Sequence, residues 1–524
     1  MAIRSDARRI QLPIVTASTA PETLRAPVPE PGPDAPRIGV ITLGCDKNTV
    51  DTERLLARLA HAGGHVIDDA AAADVVVINT CGFIDVAKEE SVDAILEAIR
   101  MKQHGGLSAV VAMGCLVQRY KSDLQRELPD VDLFLGLTEA EQLVPELRSR
   151  GLLPDVRDVP VMERPLRRIA TSTRHTSYLK ISEGCDHACA FCAIPLMRGR
   201  HRSAPIDVLV QEARELEAAG VVELNIISQD TTWYGRDLVR GGAPGTEWFV
   251  GKPFDGMPGP ALPDGSARAG LEGWPAGRRG LLPDLLRALL DETSIPWLRL
   301  FYMYPSGIRR ELVELMAAEP RILPYLDMPI QHGADAVLTR MRRPERQGTI
   351  RERVAWLRAA IPDVALRTTV IVGFPGETDE EFADMLRFLE EVRFDHLGAF
   401  AYSAEEATPA AGMPGQVPAA VVRERLEQLL DLQSSIAQER NEEWVGREVA
   451  VLVDALAVAT AAGPGATPVR AGAVGRTGRQ ALDIDGVVHL ADAASACPGQ
   501  FINARITGVV ESDMRAELTG NAER

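Results

Sequence analysis

The chain has 524 residues, 46% hydrophobic and 25% charged, which fits a folded protein of two to four domains with sizeable cores. A net charge of −17, from 57 basic and 74 acidic residues, disfavours non-specific nucleic-acid binding, which relies on neutralising phosphates, and suits a basic macromolecular partner. No run approaches the roughly 18 apolar residues that span a bilayer, there is no signal-peptide pattern, and seven cysteines are an odd number for a disulfide framework. A cytoplasmic protein is expected, in which clustered cysteines serve metal binding or catalysis.

In chain order, residues 1–36 hold seven prolines and no sustained period, and they read as a disordered leader. An α/β domain is expected over 37–150. Ile38-Gly-Val-Ile-Thr-Leu-Gly-Cys45 is a β-type run ending in glycine and cysteine, and the runs 74–81 and 109–115 repeat the pattern, ending in Cys81 and Cys115. Continuous apolar runs of this kind predict strands of an open parallel sheet buried on both faces, with helices at 49–62 and 88–102 between them. Such a sheet binds its ligands beyond the carboxyl ends of its strands, where all three cysteines fall. One strand-end cysteine is most simply a small buried hydrophobe; three at the same edge point to a shared site.

A linker is expected over 151–175. Residues 176–416 then alternate strand candidates (178–182, 222–228, 297–302, 325–329, 367–372, 396–402) with helical patterns, which predicts six βα units curled into a partial barrel. A Gly/Pro-rich stretch at 239–280 reads as an insertion. A connecting helix is expected at 417–440, and a small β-barrel at 441–512 with strands near 449–453, 472–474, 481–490 and 500–510. Cys497 reads there as a lone structural thiol, and 513–524 as a tail.

The densest signal is Glu183-Gly-Cys-Asp-His-Ala-Cys-Ala-Phe-Cys-Ala, which puts Cys185, Cys189 and Cys192 at spacings of four and three on the loop after the first barrel strand. Three thiolates this close can serve one metal centre and leave it a ligand short. The gap is open to two readings: a structural zinc site completed by His187 or His201, or a centre with one position left for chemistry. Thr368-Thr-Val-Ile-Val-Gly-Phe-Pro-Gly-Glu-Thr378 is a strand, a Gly-Pro-Gly turn and a helix start, with Thr378 as N-cap.

The cysteine loop resembles the cluster loop of the radical S-adenosylmethionine superfamily, in which three cysteines hold a 4Fe-4S cluster and S-adenosylmethionine occupies the fourth iron. The resemblance implies Cys185, Cys189 and Cys192 as cluster ligands, and Phe191, Gly373, Gly376 and Glu377 as cofactor contacts. An α/β domain with three strand-end cysteines, a radical S-adenosylmethionine barrel and a TRAM-type β-barrel together are similar to the methylthiotransferase family over residues 37–512. There, Cys45, Cys81 and Cys115 match the ligands of a second 4Fe-4S cluster.

One branch of that family modifies an adenosine of transfer RNA. The other, RimO-type, modifies an aspartate of the twelfth protein of the small ribosomal subunit. Leu43-Gly-Cys-Asp-Lys-Asn-Thr-Val-Asp-Thr-Glu53 resembles the RimO-type motif apart from Asp46, where proline is usual, and Asp327-Met-Pro-Ile-Gln-His-Gly333 is also closer to that branch. Residues 441–512 carry five Arg and no Lys against eight Asp plus Glu, a net −3 that suits a basic protein better than RNA. The resemblance implies methylthiolation of an aspartate β-carbon by a 5′-deoxyadenosyl radical, with the methylthio group carried on the second cluster. It also implies a low-potential electron donor such as a flavodoxin or ferredoxin. No side chain is assigned as acid, base or nucleophile. The alternatives are the transfer-RNA enzyme and a non-enzymatic zinc or iron-sulfur module.

Overall fold

The computed structural model describes Gly32, residues 35–155, 168–171, 173–239, 281–457, 472–491, Ala493 and residues 495–521. Most of the expected leader and linker, and all of the 239–280 insertion but Val239, lie outside the described residues. The chain forms two compact units. One takes in the described residues up to Thr171 together with Leu196–Arg198, and the other takes the remainder.

The first unit has five parallel strands, β1 (Arg37–Thr42), β2 (His65–Ile67), β3 (Val75–Thr80), β4 (Ala109–Gly114) and β5 (Leu133–Gly136), in the order β2-β1-β3-β4-β5. Helices α1 (Asp46–His61), α2 (Asp85–Gln103), α3 (Cys115–Glu127) and α4 (Leu143–Ser149) cover it. Neighbouring residues of β3 serve opposite cores. Val75 and Val77 pack with Leu55, Leu59 and Leu143, whereas Val76 and Ile78 pack with Ile95, Ile99 and Phe134. The alternation shows why these runs are apolar throughout, since both faces of the sheet are covered. Two strands beyond the expected three appear. At three and four residues, β2 and β5 are too short to show a period.

In the second unit β6 (Thr176–Lys180) leads to a small antiparallel pair, β7 (Ser182–Glu183) and β8 (Arg202–Ser203); the short helix α5 (Ile194–Arg198), which lies between them in the chain, begins in this unit and ends in the first. The remaining parallel strands are β9 (Glu223–Ile227), β10 (Trp297–Leu300), β11 (Ile322–Asp327), β12 (Ala365–Val372) and β13 (His396–Ala401). Their order, β13-β12-β11-β10-β9-β6, is strictly sequential, so the sheet is an open, six-stranded partial barrel with β6 and β13 as its edges. The connecting helices are α6 (Ile206–Ala218), α7 (Arg236–Val239), α8 (Leu282–Glu292), α9 (Arg310–Ala318), α10 (Asp335–Arg340), α11 (Gln347–Ala360) and α12 (Asp379–Val392). Thr378 caps α12 as expected: its Oγ1 accepts from Glu381 N at 3.2 Å, and Glu381 Oε2 accepts from Thr378 N at 3.0 Å.

The long helix α13 (Ala419–Glu442) leads into a closed five-stranded barrel of β14 (Glu448–Ala457), β15 (Gly472–Arg476), β16 (Val488–Leu490), β17 (Phe501–Val510) and β18 (Asp513–Asn521). Residues 513–521 are therefore not a tail. They pair with both β16 and β17 and bury Met514 and Ala516 in the barrel core. Arg515 and Glu517 between them gave the segment its polar look. The expected strand at 481–490 shrinks to Val488–Leu490, because Asp485 is turned inward to accept from Ala481 N and from Tyr325 Oη. Cys497 is exposed and is not a core thiol.

This barrel caps the amino-terminal mouth of the half-barrel through buried charge. Glu223, the first residue of β9, accepts from Arg299 Nε at 2.8 Å and from Arg476 Nη2 at 2.6 Å, with all three side chains fully buried. Arg476 also donates to Asp454, which is bonded to His175. A second buried contact joins Arg479 Nη2 to Asp395 at 2.6 Å. Groups of this kind are stable in the interior only as complete networks.

Candidate metal centres

The loop after β6 is closed at its base by the β7–β8 pair, and Cys185 N donates to Gly199 O at 3.0 Å. Gly184 has φ +74°, and a Cβ there would lie 2.1 Å from Arg200 O, so only glycine turns the chain into the first cysteine. Ala190 N, one residue past Cys189, donates to Met341 O at 2.9 Å. Cys185 and Cys189 are buried and Cys192 is half-buried. Burial pushes the Cys185 thiol up to about 12, and it raises Cys192 with a further contribution from Cys189. Without a cation the Cys185 and Cys192 thiols keep their protons, so a metal that binds there must displace them.

Both histidines weighed as a fourth ligand are anchored elsewhere. His187 Nε2 lies 2.7 Å from Asp230 Oδ2, and its ring stacks on Tyr304 at 4.3 Å and 4°. His201 Nε2 lies 3.1 Å from Ser203 Oγ. Among the described residues, no three His, Cys, Asp or Glu side chains are grouped as a single bound ion would require. A cubane cluster makes a different demand, since its three thiolates bind three separate irons.

Phe191 packs on an apolar cluster that includes Ala190, Phe374 and Met341. The cysteine loop and the turn after β12 thus share one hydrophobic face. In that turn Gly373 (φ +79°) and Gly376 (φ +75°) are left-handed. The space a side chain at Gly373 would fill is held by Val422 of α13, 2.5 Å from such a Cβ. The Glu377 carboxylate is fully buried. It accepts from Gly373 N at 2.9 Å and from Arg425 Nη1 at 2.6 Å, and it lies 3.4 Å from His332 Nε2. These bonds fix the turn and tie it to α13.

The other three cysteines are brought together by the first unit alone. Cys45 is the N-cap of α1, Cys81 follows β3, and Cys115 is the first residue of α3 after β4. Asn48 staples the loops: its Nδ2 donates to Leu43 O and Thr80 O, and its Oδ1 faces Cys115 Sγ at 3.8 Å. Cys81 N donates to Ser91 Oγ. Burial raises the Cys81 thiol to about 11 and the Cys115 thiol to about 12, and Cys45 adds to both. Two helix N-termini meet this site, and their partial positive charge favours an anionic centre. Asp46 occupies the first turn of α1, where a carboxylate suits the dipole as well as proline suits the geometry.

Gly44 has φ +94°, and a Cβ there would lie 2.7 Å from Cys81 Cβ and 2.8 Å from its Sγ. Gly44→Ala is expected to add about 1–3 kcal/mol of backbone strain and to push Cys81 out of place. A metal bound by this trio should then be lost from reconstituted protein and one bound by Cys185, Cys189 and Cys192 kept, as iron per chain would show.

All six expected cysteines therefore stand in two threes, each beyond the carboxyl ends of its strands. Arg343, Tyr304, Asp230 and Arg425 surround the second unit's site without having been expected. Asp230 lies just past the strand candidate at 222–228, a position at which it could have been found.

Residues 37–136 match the model described as uncharacterized protein family UPF0004, residues 179–389 match the radical SAM superfamily, and residues 445–519 match the TRAM domain. The chain is 43% identical over 484 residues to the ribosomal protein uS12 methylthiotransferase RimO of Anaeromyxobacter sp. strain K, covering 92% of each chain. Proteins of the same name from Symbiobacterium thermophilum (42%, 92% of this chain and 91% of that one) and Geobacter sulfurreducens (39%, 92% and 98%) are similar throughout. Among solved structures, the radical S-adenosylmethionine methyltransferase TsrM of Kitasatospora setae aligns at TM-score 0.47 and 14% identity, over 77% of this chain and 89% of that one.

Proposed function

The chain belongs to the ribosomal protein uS12 methylthiotransferase family, RimO, and we propose on that premise that it replaces a hydrogen on the β-carbon of an aspartate of uS12 by a methylthio group. It is a radical SAM methylthiotransferase, an enzyme class that uses S-adenosylmethionine and a 4Fe-4S cluster. In this reading Cys185, Cys189 and Cys192 hold that cluster, and Cys45, Cys81 and Cys115 hold a second. When bound, the first supplies, with S-adenosylmethionine, a 5′-deoxyadenosyl radical, and the second carries the methylthio group.

The supporting observation is the pair of cysteine trios, each at the carboxyl end of its own parallel sheet. That hydrogen is not acidic enough for a side-chain base, so the chain's residues position and shield. Phe191, Gly373, Gly376 and Glu377 belong to the cofactor face in this reading. Phe191 supplies an apolar wall, the two glycines shape the turn, and Glu377 holds it through Gly373 N and Arg425. The electron donor is taken to be a low-potential flavodoxin or ferredoxin.

The acidic TRAM barrel supports a basic protein substrate over transfer RNA. Arg476 and Arg479, two of the five arginines in 441–512, are buried against acidic partners and are withdrawn from any RNA surface. The test is a competition: anaerobic reaction with reductant and S-adenosylmethionine in the presence of both uS12 and transfer RNA, followed by mass spectrometry of each. A methylthio group on a uS12 aspartate is expected; one confined to an adenosine of the RNA would select the other branch. Among the described residues no helix is long and apolar enough to cross a membrane.

A further inference from the structure

Arg343 is among the largest fully buried side chains of the protein, and none of the roles above uses it. It leaves α10 on a left-handed turn, with Arg342 at φ +57°. Met341 in the same turn accepts from Ala190 N of the cysteine loop. The guanidinium makes two hydrogen bonds, through Nη1 and Nη2, while Nε has an ion-pair neighbour and no hydrogen bond. Nη2 donates to Pro329 O at 3.0 Å, Nε lies 3.1 Å from Glu345 Oε2, and Cζ stands 4.0 Å over the Tyr304 ring. Glu345 is itself fixed by Ser306 Oγ at 2.8 Å. The remaining nitrogen, Nη1, points at Cys189 Sγ at 3.9 Å. Tyr304 carries the stack on to His187, inside the cysteine loop, and His187 ends on Asp230. The row Glu345, Arg343, Tyr304, His187, Asp230 therefore places one permanent cation against one cysteine of the trio.

We propose that Arg343 is a positioning residue that donates to the Cys189 thiolate and raises the reduction potential of the cluster held by Cys185, Cys189 and Cys192. The inference rests on the assignment of a cluster to that trio. One-electron reduction adds a negative charge to the cluster, so a cation within 4 Å of one ligand favours the reduced form. Burial weakens the solvent screening that would otherwise cancel the effect, and hydrogen bonds to cysteinyl sulfur are a known lever on cluster potential. Glu345 offsets part of the charge but pairs with Nε, not with the nitrogen that faces the sulfur. Lysine has no planar fork with which to hold Pro329 O, Glu345 and Cys189 together.

The test uses full-length protein with Cys45, Cys81 and Cys115 replaced by alanine, so that only this cluster is seen, in a potentiometric titration followed by electron paramagnetic resonance. Arg343→Met is expected to bind four irons and to titrate at a lower potential than the parent, with Arg343→Lys in between. An unchanged potential in a fully loaded variant would overturn the proposal. Failure of the parent to load would instead strike the cluster assignment. Should Arg343→Met not fold, the parent labelled with guanidino-15N arginine replaces it. A weak 15N coupling to the reduced cluster is expected, and its absence would refute the contact.

Discussion

Replacing Cys45, Cys81 and Cys115 together by alanine is expected to abolish methylthio transfer while S-adenosylmethionine is still cleaved to 5′-deoxyadenosine. The two trios belong to different compact units with separate cores. Cys81 and Cys115 are buried, but alanine removes only one heavy atom from each, so little volume is emptied in the first unit. The loop of Cys185, Cys189 and Cys192 is built from hydrogen bonds inside the second unit, such as Cys185 N to Gly199 O and Ala190 N to Met341 O, and keeps them all. Cys189→Ala gives the opposite pattern, with both 5′-deoxyadenosine and methylthio product lost. Chromatography with mass detection of the two products distinguishes the cases. Loss of 5′-deoxyadenosine in the first variant would show that the trios are not separable functions.

The second large effect concerns stability. Glu223→Gln should cost about 3–5 kcal/mol, because it leaves two buried guanidiniums, Arg299 and Arg476, without their shared carboxylate. The urea midpoint of the second unit reads it directly. Burial pushes the Glu223 carboxyl up, but Arg299 and Arg476 outweigh it and hold it at about 2, against an ordinary value of 4.5. A carboxyl depressed on folding contributes stability that is fully present above the unfolded value and is lost as pH falls through the folded one. The parent should therefore lose stability between about pH 4.5 and 2. Asp395 and Asp454, also held low at this interface, act in the same direction. Glu223→Gln should show a shallower acid slope; an equal slope would place the effect elsewhere.

What could be read from sequence was what is local. The cysteines after β1, β3 and β4 were legible because each ends a continuous apolar run of the kind that marks a strand buried on both faces. Thr378 was legible because a capping box needs only four consecutive residues. The Cys185 loop was legible because its ligands lie within eight residues. Arg343 was not, since Cys189 is 154 positions away and nothing near Arg343 sets it apart from the arginines around it. Arg476 and Glu223 are 253 positions apart, and each alone looks like an ordinary surface charge. The strand β18 was hidden by its alternating charges, which face outward once the barrel closes. Long-range pairing of polar groups leaves no periodic trace, so the structure had to supply both the barrel's cap and the surroundings of Cys189.

In this reading one chain carries two cluster sites with separate ligands. The measurement that tests it is iron and labile sulfide per chain, by Mössbauer spectroscopy and chemical assay, in anaerobically reconstituted parent and in the two triple-alanine variants. About eight irons are expected in the parent and about four in each variant, all as 4Fe-4S. A parent that stops at four irons, or a variant that keeps eight, would contradict it.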